Sequence, residues 1–351
     1  MGLDLGSQGY SNASAAAGEN QIENAYYDSF RAGFEQAYQQ TESKLQPYFE
    51  TESQSSEFQF FDRIGEAAAM TEDTGRYAVN PQSEINHERR RLGLKDYELG
   101  KYVDEKDLKR VLTDPMNAYT QALLASGKRK VDDIIIENYF GSAFVGKSGS
   151  NVVSYAVGAG DEASSKITVG SISNGSSNPI TATAGDYVLA GANTEGVSVG
   201  ADFGAAGSGL TLAKLKAMRS SMLRLESIDQ DTTLNCFLTH KQLEELLGID
   251  EIINSDYAVR KSLAEGNVTT FMGFRFILTE RLPLSTGAAG DERRIIVSTP
   301  RSLKMSVGTA LKGDIWRDTS KKNIPYLYFK LCADASRMWG EVSGEIRCTE
   351  S

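Results

Sequence analysis

The sequence has few of the residues on which disulfide frameworks, metal sites and most catalytic sites depend. Its 351 residues include three cysteines and two histidines. Because Cys236, Cys332 and Cys348 are odd in number and far apart, we expect no disulfide framework, and a reducing compartment is favoured. His87 and His240 are also far apart, and neither stands in a catalytic motif.

Short catalytic and metal-binding motifs are also missing. No GxSxG, CxxC or HExxH pattern occurs, and His87-Glu88 lacks a second histidine four residues on. Asp132 and Asp133 are neighbours on a predicted helix, where adjacent side chains diverge by about 100°. Cys236 alternates within an apolar strand, which is typical of a core position. We therefore expect no catalytic, cofactor-binding or metal-binding residues, and no enzyme.

Positive charge and long apolar runs are scarce too. There are 47 acidic and 37 basic residues, a net charge of −10, and such a surface repels nucleic acid unless a local basic patch forms. No apolar run approaches the ~18 residues of a membrane span, and the first residues do not have the pattern of a secretory signal. The composition, 40% hydrophobic and 24% charged, is that of a globular protein of about two domains.

One motif is present in full. The stretch GSAFVGKS, residues 141–148, matches the phosphate-binding P-loop pattern. A working P-loop follows a strand and opens a helix, because the loop amides and the helix N-terminus together bind the phosphates. Here a predicted helix precedes Gly141, and the residues after Ser148 show no helical period. With 33 glycines in the chain, we interpret the match as chance, with Gly141 as a helix stop and Lys147 as a loop cation.

The N-terminal part combines a small, polar segment, residues 1–19, with a helical pattern from Asn20 to about Lys44. Aromatic and aliphatic side chains recur there every four residues, at Ile22, Tyr26, Phe30, Phe34 and Tyr38. Such a stripe needs a surface to cover it, which is either the body of the same chain or a neighbouring subunit. Phe30 and Phe34 are therefore candidates for inter-subunit contact.

A polar, charge-rich segment spans residues 71–104. Two strand-like pieces, Arg76–Val79 and Asp96–Val103, flank a charged centre, and the pattern predicts a long extended hairpin with His87–Arg91 near its tip. Connections of this length are usually functional. The tip is either solvated or in contact with another subunit, and a nucleic-acid patch is less favoured because acidic residues flank the arginines. The contact candidates are Arg76, Glu88, Arg89, Arg90 and Arg91.

Residues 114–140 predict a long helix. Asp114 suits the N-cap, Pro115 suits the first helical position, and Gly141 suits the end. The helix would be about 39 Å long. Gly127 lies on its apolar stripe, where it marks either a bend or a close packing contact.

The remaining chain mixes strands and helices without strict βαβ alternation, which favours the α+β class. Residues 147–208 are rich in Gly, Ser, Ala, Thr and Val and predict either a flexible linker or a small β layer, with strands in KITVGSI and DYVLAGA. Beyond Gly209 the predicted elements are the helices in GLTLAKLKAMRSSMLRLES and HKQLEELLG, and the strands in TLNCFLT, GFRFILTERLP, RRIIVST and IPYLYFKLCADASRMWGEVSGEIRC.

The order of these elements resembles the major capsid protein of tailed bacteriophages, of the Hong Kong 97 type. The most specific stretch is residues 237–283, with a strand, a short helix, an irregular segment and then a Gly-aromatic-x-hydrophobic strand ending in Pro. Helix 114–140 resembles the long spine helix of the peripheral domain, and residues 71–104 resemble the extended loop that precedes it. Strands 324–348 resemble the return into the peripheral domain.

The resemblance implies a phage-capsid fold with an N-terminal arm, an extended loop, a peripheral domain and an axial domain. Residues 147–208 are longer than the simple connection expected in that family. The implied boundaries are 1–50 for the arm; 51–70, 105–146 and 316–351 for the peripheral domain; 71–104 for the extended loop; 147–208 for a Gly/Ser-rich β insertion or part of the axial domain; and 209–315 for the axial domain.

The resemblance also implies a structural function. The chain would assemble with itself, as hexamers and pentamers, into the icosahedral head of a tailed phage that encloses double-stranded DNA without sequence-specific binding and without a membrane. Scaffolding, portal and decoration proteins are further implied partners. The protein would lie in the virion after assembly in the host cytoplasm. The alternatives are a P-loop nucleotide-binding protein and a bacterial shell compartment protein of the same fold.

Overall fold

The fold is that of a computed structural model of the full chain. It describes residues 40–65, 87–103, 116–155, 167–169, 187–189, 194–201, 207–248, 270–287 and 290–350, and the single positions 70, 72, 75, 82, 85 and 203. These residues include three α-helices, two short 3-10 helices and 18 strands, and the strands form three sheets.

The largest sheet has nine strands and covers a core of its own. Three strands run through its centre, in the order β11 (Leu234–Leu238), β15 (Gly290–Ser298) and β18 (Ser343–Glu350), with β15 antiparallel to both neighbours. The outer strands are β7 (Ile167–Val169), β8 (Tyr187–Leu189), β10 (Val197–Val199), β12 (Thr270–Phe271), β13 (Phe274–Leu278) and β14 (Leu284–Gly287).

Two amphipathic helices belong to this unit, α2 (Leu212–Arg224) and α3 (His240–Leu247). Thr211 caps α2 by accepting a hydrogen bond from the backbone N–H of Lys214, and Thr239 and Gln242 form a capping box at α3, so both starts have satisfied backbone donors. The inward face of α2 is buried in the core that also holds Cys236 of β11. All five residues of β11 are buried, since both faces of that strand are covered.

A four-stranded sheet packs on the long helix α1 (Met116–Phe140). Its strand order is β1 (Glu50–Ser53), β16 (Leu303–Asp318), β17 (Ile324–Arg337) and β4 (Lys95–Tyr102). Alternation of side chains along β17 places Leu327, Phe329 and Leu331 on one face, all buried. This face and the apolar face of α1 form a second core.

Gly127 allows the helix to approach this sheet closely. A Cβ at position 127 would lie 2.5 Å from Cδ1 and 2.7 Å from Cδ2 of Leu311 on β16. The close-packing interpretation of Gly127 is therefore confirmed.

The third sheet contains a hairpin of β2 (Phe58–Ile64) and β3 (His87–Gly93), extended by β5 (Ala143–Val145), β6 (Asn151–Tyr155) and β9 (Thr194–Glu195). In the hairpin, Phe58 pairs with Gly93 and Ile64 with His87. Because β3 returns from the connection 65–86, His87–Arg91 lie in a strand of the hairpin and not at its tip. That part of the prediction is wrong.

Most predicted elements that fall on described residues are confirmed, including the helix that ends at Phe140 and the strands β7, β8, β11, β13, β15, β17 and β18. The predicted helix over residues 20–39, the strand Arg76–Val79 and the predicted helix start at Asp114 and Pro115 lie outside the described residues. Three regions differ from the expected boundaries. The hairpin spans 58–93, whereas β4 belongs to the four-stranded sheet. Residues 303–315, which were expected in the axial domain, pair with β17 in the four-stranded sheet. Strand β18, which was expected in the peripheral domain, lies in the nine-stranded sheet. Ten of the 18 described strands were not predicted, among them the long strands β2, β3 and β16.

Candidate functional site

The hairpin sheet presents one exposed face that combines aromatic and cationic side chains, and we call it the outward face. Strand β2 alternates exposed and less exposed residues, so its outward side chains include Phe58 and Phe60, which are 46% and 38% exposed. Phe60 lies opposite Arg91, which lies opposite Phe144 of β5. Together with Val152, opposite Phe144 on β6, these side chains form a continuous row across four strands.

Cation–π contacts organise this face. The Arg91 guanidinium lies 5.1 Å from the ring centre of Phe58 and 4.9 Å from that of Phe144. Arg89 lies 5.4 Å from the ring centre of Phe60 and pairs with Asp62 across the hairpin, at 2.6 Å between Nε and Oδ1. This ion pair lowers the pKa of the Asp62 carboxyl. The outward face therefore combines exposed aromatic rings with the half-buried guanidinium of Arg91 and the Arg89–Asp62 ion pair.

The side chain of Arg90 lies on the opposite face of β3 from Arg89 and Arg91, where it is buried within its own chain. It is 1% exposed, and its guanidinium pairs with the carboxylate of Glu195, with 3.0 Å between one of its terminal nitrogens and Oε1. Glu195 also accepts a hydrogen bond of 2.7 Å from Nε of Arg337. A side chain held in this way cannot reach a neighbouring subunit, so Arg90 is not retained among the contact candidates. Alternation along a strand puts Arg90 on the opposite face from Arg89 and Arg91, but it does not show which of the two faces is buried.

Arg337 ties the same cluster to the end of α1. One terminal nitrogen donates to the backbone carbonyls of Tyr139 and Gly141, at 2.6 and 2.9 Å. Glu195 and the two arginines thus join β3, β9 and β17 at one buried point. No periodicity in the sequence indicates this cluster, since its members are far apart along the chain.

Glu88 and Arg63 lie at the same end of the hairpin. The Arg63 guanidinium pairs with the Glu88 carboxylate, donates to the carbonyl of Met338 at 2.6 Å and stacks on the ring of Trp339 at 5.1 Å. Glu88 is thus engaged within its own chain. Arg76, the remaining candidate from this segment, lies outside the described residues.

The N-terminal segment is fastened to α1 by one carboxylate. Asp132 is fully buried and accepts hydrogen bonds from the side chains of Gln40 and Ser43 and from the backbone N–H groups of Lys44 and Leu45, the last two at 3.1 Å. Leu45 is buried in the second core. Residues 43–49 therefore belong to the body of the molecule, although the predicted arm extends to residue 50. Phe30 and Phe34 lie outside the described residues.

A second exposed aromatic group lies at the far end of the four-stranded sheet. The Trp316 ring centre lies 5.2 Å from that of Tyr326 and 5.1 Å from that of Tyr328. Tyr102 stacks on Tyr326 at 4.4 Å. A hydrogen bond to Glu98 raises the pKa of Tyr328 to about 12. Trp316 and Tyr102 are 43% and 40% exposed, so this end of the sheet is also an apolar surface open to a partner.

The P-loop match does not have the structure of a nucleotide site. Strand β5 follows α1, and Lys147-Ser148 occupy the turn between β5 and β6, so no helix begins after them. Gly146 and Gly149 adopt φ values of 93° and 65°, which the tight turn requires. The N–H of Gly149 donates to the carbonyl of Gly146.

The described residues give no sign of a metal site, a membrane-spanning helix or a nucleophilic cysteine among Cys236 and Cys348. No group of three or more His, Cys, Asp or Glu residues is placed to hold a metal ion within the described ranges. No helix in the described part of the chain is both long and apolar enough to cross a membrane. Cys236 and Cys348 are buried thiols, and burial raises the pKa of both, which makes them core residues and not nucleophiles.

The fold therefore combines a long helix packed on a four-stranded sheet, a hairpin sheet and a nine-stranded sheet. Solved capsids share the fold. The capsid protein of cyanophage Pam1 aligns with a TM-score of 0.65 at 14% identity, over 97% of this chain and 100% of that one. The capsid of cyanophage P-SCSP1u aligns with a TM-score of 0.60 at 12% identity, over 93% of this chain and 94% of that one. The capsid of Ralstonia phage GP4 aligns with a TM-score of 0.60 at 10% identity, over 97% of this chain and 99% of that one.

The sequence itself identifies the family. The family model described as phage capsid protein matches residues 22–350, so the chain belongs to the phage capsid protein family. No curated protein matches the chain by sequence. The chain is therefore a structural major capsid protein, a component of the virion that associates with itself into a shell, and not an enzyme. The expected phage-capsid fold is confirmed, and neither the nucleotide-binding nor the shell-compartment alternative gains support.

Proposed function

We propose that this protein builds the icosahedral head of a tailed phage from hexamers and pentamers, and that the head encloses double-stranded DNA. The family match over residues 22–350 carries the proposal. Assembly takes place in the host cytoplasm, with scaffolding, portal and decoration proteins as further partners. The N-terminal arm and the hairpin connect each subunit to its neighbours, because a closed shell repeats contacts between different surfaces of the same chain around its symmetry axes.

The outward face of the hairpin is the contact surface that the described residues support best. It exposes Phe58, Phe60 and Phe144 next to one another, and aromatic side chains with arginine are the residues that most often dominate binding energy at interfaces. Complete burial of one such ring contributes about 1.5–3 kcal/mol relative to exposure. Phe30 and Phe34 of the arm and Arg76 of the hairpin connection remain further contact candidates.

Charge favours a second copy of the chain as the partner of this face. The whole chain carries a net charge of −10, whereas Arg91 adds a positive charge to the outward face that Asp62 does not neutralise, because Asp62 pairs with Arg89. Complementary charge speeds correct docking and disfavours wrong partners. Arg91 is the better anchor of the two, because Arg89 is already paired with Asp62.

The test of this contact is Arg91→Glu. We expect shells to form poorly from this variant, most of all at low salt, where repulsion between charges is least screened. The melting temperature of the unassembled subunit should stay close to that of the parent, since Arg91 lies on an exposed face. Negative-stain images and light scattering report the shells, and circular dichroism reports the fold.

Lys216→Glu is the matched control, because it makes the same change of charge on the exposed side of α2. It should assemble as the parent does. Normal shells from Arg91→Glu at low salt would show that the outward face is free in the particle and would remove it from the proposal.

A further inference from the structure

Arg91 lacks a carboxylate partner among the residues that the structure describes. The other three arginines of the hairpin strands form the ion pairs Arg63–Glu88, Arg89–Asp62 and Arg90–Glu195. A guanidinium carries five N–H donors, and no described acceptor takes a hydrogen bond from Arg91. Its guanidinium lies instead between the rings of Phe58 and Phe144, 5.1 and 4.9 Å from their centres. Arg91 is thus a half-buried cation whose donors are unused within the described part of its own chain.

The turn between β5 and β6 holds the stem of Arg91 in place. Gly149 is buried under this stem, and a Cβ at position 149 would lie 2.6 Å from both Cβ and Cδ of Arg91. Gly149 also has a φ of 65°, in the left-handed region that favours glycine. The rings and the turn therefore fix the guanidinium before any partner arrives, and a side chain that is ordered in advance loses less conformational entropy on binding.

Lys147 places a second cation in the same turn. Its side chain is exposed, and it has no ion-pair partner within the described ranges. The hydroxyl groups of Ser148 and Ser150 lie 2.9 Å apart beside it, and both residues are exposed. This corner of the hairpin sheet therefore offers two unpaired positive charges and two hydroxyl groups to a partner.

The backbone of the turn is not arranged to bind phosphate. The N–H of Gly146 donates to the carbonyl of Arg89 at 3.1 Å, and the N–H of Gly149 donates to the carbonyl of Gly146 at 3.0 Å. A phosphate-binding loop needs such amides free to point at the ligand. The ligand must therefore be held by side chains, and a planar guanidinium matches a carboxylate with two parallel hydrogen bonds.

We propose that Arg91, Lys147 and their turn bind an acidic segment of a second copy of the chain in the shell. This inference rests on the proposed function, and it names the chemical group that the outward face receives. Charge supports a second copy as the source, because the chain has 47 acidic and 37 basic residues and two unpaired cations complement such a surface. Gly149 is a positioning residue, since the turn can contact the stem of Arg91 only without a side chain at position 149.

Zero-length cross-linking of the full-length protein in assembled shells tests this contact directly. A carbodiimide couples an amine only to a carboxylate that lies against it. We expect it to join Lys147 to an Asp or Glu of another copy, and shells built from isotope-labelled and unlabelled chains distinguish this product from a cross-link within one copy. Lys216, an exposed lysine of α2, is the control and should not couple between copies.

Shells in which Lys147 couples only within its own copy, or not at all, would overturn the inference and leave the proposed function standing. Absence of any shells from the parent chain would instead overturn the proposed function, and the inference with it.

Gly149→Ala tests the positioning of Arg91. The added methyl group displaces the Arg91 stem, so we expect shells to need about tenfold more subunit. Gly146→Ala is the matched control, because a φ of 93° strains alanine in the same turn, whereas its Cβ would meet Nδ2 of Asn151, at 3.2 Å, and not Arg91. It should have the smaller effect, and equal effects of the two substitutions would contradict the role of Gly149.

A labelled fragment of double-stranded DNA distinguishes carboxylate from phosphate as the ligand. At low salt, the unassembled full-length subunit and its variant with Arg91→Gln and Lys147→Gln should give the same fluorescence anisotropy with this DNA. A lower DNA affinity of the variant would assign the site to phosphate and refute the inference.

Discussion

At the scale of single residues, the buried ion pairs hold the hairpin sheet to the rest of the molecule. Glu195 is 4% exposed, and Arg90 and Arg337 are 1% and 0% exposed. Charges this far from water persist only with partners in good geometry. The carboxylate of Glu195 is the counter-charge of both guanidiniums, so the burial of each arginine depends on Glu195.

Glu195→Gln should therefore be among the most damaging single substitutions in the body of the protein. The amide leaves two buried guanidiniums without a counter-charge, and removal of one partner from a buried pair costs about 3–5 kcal/mol. The measurement is the free energy of unfolding of the unassembled subunit in denaturant.

Asp62→Asn provides the comparison, because it breaks the exposed pair with Arg89 and should leave the unfolding midpoint unchanged. A loss of stability no greater for Glu195→Gln than for Asp62→Asn would mean that the buried cluster does not fasten the hairpin sheet.

At the scale of secondary-structure elements, Gly127 determines how closely helix α1 can pack on the four-stranded sheet. The helix presents Gly127 where Leu311 of β16 crosses it, and a methyl group there would lie 2.5 Å from a Leu311 methyl. Interiors are packed tightly enough for a single added carbon to be felt.

Gly127→Ala tests this contact through its coupling with Leu311→Ala. Alanine raises helix propensity by about 1 kcal/mol over glycine, but in the parent the new methyl group collides with Leu311. In the Leu311→Ala background the collision is gone, so the same substitution should be more favourable by about 1–3 kcal/mol. Unfolding of the four proteins of the double-mutant cycle gives the coupling, and additive effects would show that Gly127 is not needed for close packing.

At the scale of the whole molecule, two groups of aromatic side chains lie outside the two cores that the described residues form. The outward face of the hairpin and the aromatic end of the four-stranded sheet are both exposed. The described body begins at Gln40, where Asp132 fastens the chain to α1. The aromatic stripe around Phe30 and Phe34 precedes that anchor in sequence.

Deletion of residues 1–39 should therefore separate folding from assembly. Because Gln40, Ser43 and the backbone up to Leu45 keep their contacts with Asp132, we expect a folded, soluble subunit that fails to form closed shells. Circular dichroism checks the fold, and negative-stain images check the shells.

Deletion of residues 1–19 is the control, since it removes the small, polar segment but keeps the stripe that begins at Ile22, and it should assemble normally. Closed shells from the longer deletion would remove the arm from the proposal. Unfolding of that protein would place the stripe in its own core.

Local elements with clear periodicity and caps could be predicted from the sequence. Helix α1 ends at Phe140, next to the predicted stop at Gly141, and α3 (His240–Leu247) lies within the predicted helix HKQLEELLG. Strand β16 was missed because half of its residues face solvent and two glycines, Gly308 and Gly313, interrupt its pattern. In β2, the spacing of Phe58 and Phe60 two residues apart could have indicated a strand.

The sequence alone determined the α+β class, the main helices and strands, the absence of a catalytic motif and the resemblance to capsid proteins, because each depends on local pattern or composition. Only the tertiary structure shows which of the three adjacent arginines, Arg89, Arg90 and Arg91, is buried. Alternation along β3 separates Arg90 from Arg89 and Arg91, but its burial requires Glu195, which lies 105 residues further along the chain. Contacts between such distant residues arise from the packing of the sheets, and no local pattern encodes them.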